Sequence, residues 1–198
     1  MYAVLDVETT GFDPTGGDRI LELAVIGLDV DGNEDFRWVS LFDPERDVGP
    51  THVHGIGPDV IAQLQPPAFA DLAGDIIELL DGRIPVAHNL RFDRGFLHAE
   101  FARCGIEMVN AEGLCTMRLA DVTGSRRLES CCQHYGIVLS DAHTALGDTD
   151  ATAQLFSAML GDPERHHGLR PYPEPLGFLG PRPQLLGRTW DRQAMLTD

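Results

Sequence analysis

Positive charge is scarce in this chain. Fifteen lysines and arginines face 31 aspartates and glutamates, for a net charge of -16 with histidine neutral. Proteins that wrap long nucleic acid through many phosphate contacts are usually basic. That leaves a partner that is not a polyanion, or one touched over a short stretch through metal ions and local contacts. Cysteine is also sparse. Cys104, Cys115, Cys131 and Cys132 include no CxxC, and the adjacent pair is a poor disulfide candidate, so reduced thiols in a cytoplasmic protein are expected. No apolar run approaches the roughly 18 residues of a membrane span. The amino terminus has no basic leader followed by an apolar stretch, so no secretory signal is expected.

What is present is enough chain for one domain with a full core, in 198 residues. It opens on YAVLDVETTG, Tyr2 to Gly11. Ala3, Val4 and Leu5 read as a buried strand, and Asp6 and Glu8 then interrupt it. Strand side chains two apart share a face, so these acids project side by side. Paired carboxylates repel and resist burial unless something positive lies between them, and a divalent cation fills that role.

The following segments alternate in type. RILELAVIGLDV and FRWVSLF read as second and third strands around an Asp31-Gly32 hairpin turn. Pro58 starts a short helix. Residues 69–80 have helical apolar spacing, RIPVAHN is a fourth strand, and a helix runs from Asn89 to about Arg103. GLCTMRLAD reads as a fifth short strand entering a helical turn. Helices are expected over 126–135 and 145–160. The sum is an α/β protein with a mixed five-stranded sheet flanked by helices. Residues 1–161 are the expected domain. Residues 162–198, with prolines at 163, 171, 173, 175, 181 and 183, read as an extended tail, lying on the domain or loose.

Three later positions join the two acids. Asp93 shares a helix face with Phe96 and Leu97, where an acid needs a reason; capping near the helix start is the plain alternative. Asp148 faces with Ala151, Thr152 and Leu155, whereas Asp150 points outward; stabilisation of a helix amino terminus is its plain alternative. His143 precedes Asp148 by five residues and is suited to take a proton from water near neutral pH.

In the order DxE, HNxxFD and HxxxxD, these residues resemble the DEDDh family of 3′–5′ exonucleases. The likeness extends to the proofreading epsilon subunit of bacterial DNA polymerase III and its stand-alone relatives, over roughly residues 2–160. VHGI at 53–56 and RLESCCQHYGI at 127–137 add to it. The resemblance implies a ribonuclease H-like fold and two divalent ions, Mg²⁺ or Mn²⁺. Asp6 would be shared between the ions, Glu8 and Asp148 would hold the first, and Asp93 would help hold the second. His143 would be the general base, and the product a nucleoside 5′-monophosphate. It also implies substrate contacts from Thr9, Gly11, His54, His88, Asn89 and Phe92, with core packing the alternative for Phe92. Gly49 stands where the epsilon subunit has a glutamate. The substrate implied is a single-stranded or frayed 3′ end of DNA, with RNA as the alternative and a DNA polymerase as a partner to test for. The rival class is a nucleic-acid end-binding or polymerase-associated module that does not cut.

Overall fold

The computed structural model describes residues 1–119, 125–139, 144–162 and 172–196. β1 (Tyr2–Thr9), β2 (Ile20–Leu28) and β3 (Glu34–Leu41) form an antiparallel meander. The β2–β3 turn is held by Asp29, whose carboxylate accepts from the backbone amides of Asp31 and Asn33 at 2.9 Å each. This is the local hydrogen bonding that makes aspartate a turn former. All nine residues of β2 are buried, so it is a central strand covered on both faces.

Two short helices follow, α1 (Thr51–His54) and α2 (Pro58–Leu64), the latter with proline at its start. α3 (Phe69–Leu80) buries seven residues along one stripe. β4 (Ile84–Ala87) lies parallel to β1, and α4 (Leu90–Arg103) leaves its carboxyl end. After β5 (Glu107–Val109) come β6 (Leu114–Cys115) and α5 (Thr116–Leu119). α6 (Leu128–His134) and α7 (Ala145–Gly161) complete the body. The main sheet runs β3-β2-β1-β4-β6, with the β1–β4 and β4–β6 pairs parallel.

The alternation of β1 sorts the core. Ala3, Leu5 and Val7 face a cluster with Phe69, Leu72, Ile76, Phe96 and Phe101 of α3 and α4. Tyr2 and Val4 face Phe156 and Ala153 of α7. Asp6 and Glu8 continue the α7 side at the carboxyl end of the strand.

One pairing has no local signature. Within the stretch expected to be an extended tail, β7 (Gly177–Leu179) pairs antiparallel with β5 in a separate two-stranded sheet. A partner about 70 positions away along the chain cannot be read from local spacing. Further on, Leu186 and Gly187 donate backbone N–H groups to Asp75 at 2.7 Å each. Trp190 is buried in the main core, and α8 (Arg192–Met195) follows. The described part of residues 162–198 therefore lies on the domain. Among the described residues no helix is long and apolar enough to cross a membrane.

Candidate active site

Asp6 and Glu8 stand where β1 ends. The β1–β2 register shifts between Glu8 and Thr9, an irregularity of the kind that re-aims side chains at sites. Both carboxylates are half-buried. Asp93, one turn into α4, is 2% exposed, and its Oδ1 accepts the backbone N–H of Val7 at 3.2 Å. That bond joins the start of α4 to the strand between the two acids. Thr144 caps α7 by accepting from the Gly147 N–H at 3.0 Å, and this fixes the first turn that carries Asp148. The face below Asp148, with Ala151, Thr152 and Leu155, is buried as its spacing predicts. Asp150, expected to be solvated, is half-buried and pairs with Arg37 at 3.0 Å.

The charges of this group act on one another. Asp6 is raised well above the usual carboxylate range, first by burial and then by Asp93, Glu8, Asp148 and Glu22. Burial pushes Glu8 up to about 8, with Glu22 and Asp148 adding to it and Arg192 opposing. Burial also raises Asp93, against the lowering effect of the Val7 N–H. Carboxylates arranged to resist ionisation near one another form a site that a cation would stabilise. Hard oxygen donors suit Mg²⁺ or Mn²⁺. Among the described residues, no three Asp, Glu, His or Cys side chains converge closely enough to hold an ion as they stand. A cation placed among them would offset the burial and repulsion that raise them. The donor chemistry thus fits a divalent ion.

Glu22 is the acid that sequence reasoning missed. It lies directly opposite Glu8 across β1–β2 and is 2% exposed. Its signal was available, since it is the one charged residue in the apolar run ILELAVIGL.

The expected substrate residues divide. Thr9 turns its hydroxyl to the Gly11 carbonyl at 2.7 Å, shaping the bend after β1. Asn89 is exposed at the start of α4. Phe92 is half-buried and packs against Phe96, ring centroids 4.9 Å apart. It also meets Phe12 at 6.3 Å, and Phe12 is 79% exposed. Phe12, Pro14, Asn89, Arg91 and Phe92 line a cleft of about 420 Å³. Phe12 was not singled out from the sequence, although an aromatic after TTG in a turn is a visible anomaly.

His54 and His88 have both ring nitrogens bound within the protein. His54 accepts the Ile56 N–H on Nδ1 at 3.1 Å, so its Nε2 donates to the Val48 carbonyl at 3.2 Å. His88 Nε2 donates to the Arg126 carbonyl at 2.8 Å, and Nδ1 meets the Thr116 hydroxyl at 2.9 Å. Burial lowers both pKa values. In this conformation both nitrogens of each ring are engaged within the protein. His143 lies outside the described residues. At Gly49, φ is +74° and a Cβ would collide with the Thr10 carbonyl oxygen. The glutamate carried there by the epsilon subunit does not fit this backbone.

The exonuclease family model (RNase T) matches residues 3–156. The chain belongs to the exonuclease family. This family member is 34% identical over 168 residues to a DNA polymerase III subunit epsilon-like protein of Rhodobacter capsulatus, covering 80% of this chain and 23% of that one. It is 26% identical over 175 residues to DNA polymerase III subunit epsilon of Treponema pallidum, covering 84% and 80%. Its fold matches Escherichia coli exonuclease I in complex with a dA16 oligonucleotide. The TM-score is 0.72 at 22% identity, over 85% of this chain and 42% of that one. The expected ribonuclease H-like α/β fold is thereby borne out. The chain spans less than a quarter of the length of several curated relatives that it matches.

Proposed function

We propose that this chain is a divalent-cation-dependent 3′–5′ exonuclease. It would hydrolyse the terminal phosphodiester of DNA and release nucleoside 5′-monophosphates. The observation that carries the reading is the set of four acids, Asp6, Glu8, Asp93 and Asp148, of which Asp6 and Glu8 are raised by burial and by the charges of the others. We read residues 1–161 as the exonuclease domain and 162–198 as its appended tail.

Asp6, Glu8, Asp93 and Asp148 would hold two ions, Mg²⁺ or Mn²⁺. Bound there, the ions supply the positive charge that a phosphodiester displacement needs at its attacking and leaving oxygens. The chain's own residues do the rest. Phe12 and Phe92 offer ring faces to the terminal bases, and stacking of that kind tolerates any base. Asn89 lines the same cleft, and the Thr9–Gly11 backbone leads from the acids to Phe12. His54 fixes the Val48–Ile56 segment and His88 ties the end of β4 to Thr116 and Arg126. His143 takes the proton from the attacking water and so needs to be neutral before attack.

The scarcity of positive charge fits an enzyme that grips a few nucleotides at an end. Modest affinity for free nucleic acid follows, and a polymerase presenting frayed 3′ ends is the partner to test for. A time course with 5′-labelled single-stranded DNA, duplex DNA and RNA tests the reading, with Mg²⁺, Mn²⁺ or chelator. Stepwise shortening from the 3′ end that chelator stops is expected on DNA. Internal cuts, or no trimming of any polymer, would refute it.

A further inference from the structure

Glu22 poses a problem for the site just described. Like charges directly opposite on an antiparallel pair repel, and Glu22 faces Glu8 in that way. A free carboxylate there would also compete as a cation ligand. The answer comes from the far end of the chain. Arg192 is 9% exposed and approaches Glu22 with two nitrogens, Nε to Oε1 at 2.9 Å and Nη2 to Oε2 at 3.1 Å. This is the paired geometry that arginine offers a carboxylate and lysine does not. Oε2 also accepts the Ala145 N–H at 3.2 Å, and Ala145 is the first residue of the helix that carries Asp148. The third guanidinium nitrogen, Nη1, donates to the His54 carbonyl at 3.0 Å.

The helix bearing Arg192 is itself anchored. The Trp190 N–H donates to Ser40 Oγ at 3.0 Å, and its carbonyl accepts from Leu41 at 2.9 Å. Asp191 Oδ1 caps α8 by accepting from Gln193 at 2.9 Å and Ala194 at 3.3 Å.

We propose that Arg192 is a positioning residue of the nuclease site: it withdraws Glu22 from the cation cluster and holds it where it fixes the start of the Asp148 helix. The inference rests on the four-carboxylate reading above. It makes the carboxyl-terminal segment part of the working site. A guanidinium beside a cation site also weakens cation binding by simple repulsion. Losing it therefore should tighten binding while spoiling catalysis, a combination that a mere docking pin does not produce.

The test titrates Mn²⁺ by calorimetry and measures nucleotide release on single-stranded DNA. It uses the full chain, Arg192→Met, Arg192→Lys and the Glu22→Gln/Arg192→Met double variant. Arg192→Met should bind Mn²⁺ about threefold or more tightly, because a repelling charge is gone and a carboxylate is freed. Its kcat should fall roughly tenfold as the site loses alignment. The double variant should return Mn²⁺ affinity to near the wild-type value and recover part of kcat. Arg192→Lys, which keeps the charge and the Trp190 and Asp191 contacts but loses the paired grip on Glu22 and the bond to the His54 carbonyl, should stay within about twofold of wild type in Mn²⁺ affinity and lose part of kcat. Unchanged or weaker Mn²⁺ binding in Arg192→Met, with no recovery on adding Glu22→Gln, would overturn the proposal. A wild-type chain that binds Mn²⁺ and cuts nothing would overturn the exonuclease reading, and the binding measurements would still decide the role of Arg192. A wild-type chain that binds no Mn²⁺ would overturn both.

Discussion

Raising the pH from 7 to 8.5 in chelator should destabilise this protein. Glu8 is carried from 4.5 up to about 8 in the folded state, and Asp6 is raised well above its ordinary value. A raised acid keeps its proton in the folded chain at a pH where the unfolded chain has lost it. Its effect on stability is most favourable below the unfolded value and is lost as pH rises through the folded one. His54 and His88 are lowered, so their effect has the opposite sign. That effect is complete once pH exceeds the ordinary histidine value of about 6.5. Above pH 7 the slope belongs chiefly to the acids. One proton released on unfolding is worth about 1.4 kcal/mol per pH unit. With the partial exposure of Glu8, the loss across the window is about 1–2 kcal/mol. In a chain of this size that lowers Tm by roughly 2–8 °C. Thermal melts followed by circular dichroism would read it. Glu8→Gln should flatten the slope, and Mg²⁺ or Mn²⁺ should stabilise more at pH 8.5 than at 7. A Tm that is flat or rises with pH in chelator, or a slope indifferent to Glu8→Gln, would refute the account of crowded carboxylates.

Other expectations follow from the same geometry. Asp6→Asn should cut nucleotide release at least about a hundredfold while the circular dichroism spectrum stays native, since its charge faces all the other acids. Phe12→Ala should raise KM for oligonucleotides with a smaller effect on kcat. Loss of one stacked base is worth about 1–3 kcal/mol, and unchanged oligonucleotide KM would remove Phe12 from the substrate path. Gly49→Ala should lower stability by about 1–3 kcal/mol in urea melts, because alanine resists the positive φ and its Cβ has no room beside Thr10.

Much of the site was legible before any coordinates. An acid needs a reason wherever it interrupts an apolar pattern, and that argument found Asp6, Glu8, Asp93 and Asp148. It applied equally to Glu22, which went unmarked because no short motif enclosed it. Phe12 was visible as an aromatic in a turn, but its use depends on Phe92 lying 6.3 Å away on another element. The histidines were harder. The resemblance put His54 and His88 near the substrate, yet the partners that occupy their ring nitrogens come from segments up to 38 positions away.

The sequence by itself determined the five strands of the main sheet and its longer helices, the face on which the acids lie and the kind of cation they would attract. Those properties follow from side-chain alternation, helical periodicity and the chemistry of oxygen donors, all of which are local. Only the tertiary structure decided which acid is neutralised and by what. Arg192 lies 170 positions from Glu22 in a stretch without periodicity. Hydrogen bonds of the Trp190 backbone to the Ser40 hydroxyl and the Leu41 N–H, and the burial of Trp190, bring the two together. A long-range ion pair of this kind leaves no local pattern, because its partners become neighbours only when the chain has closed.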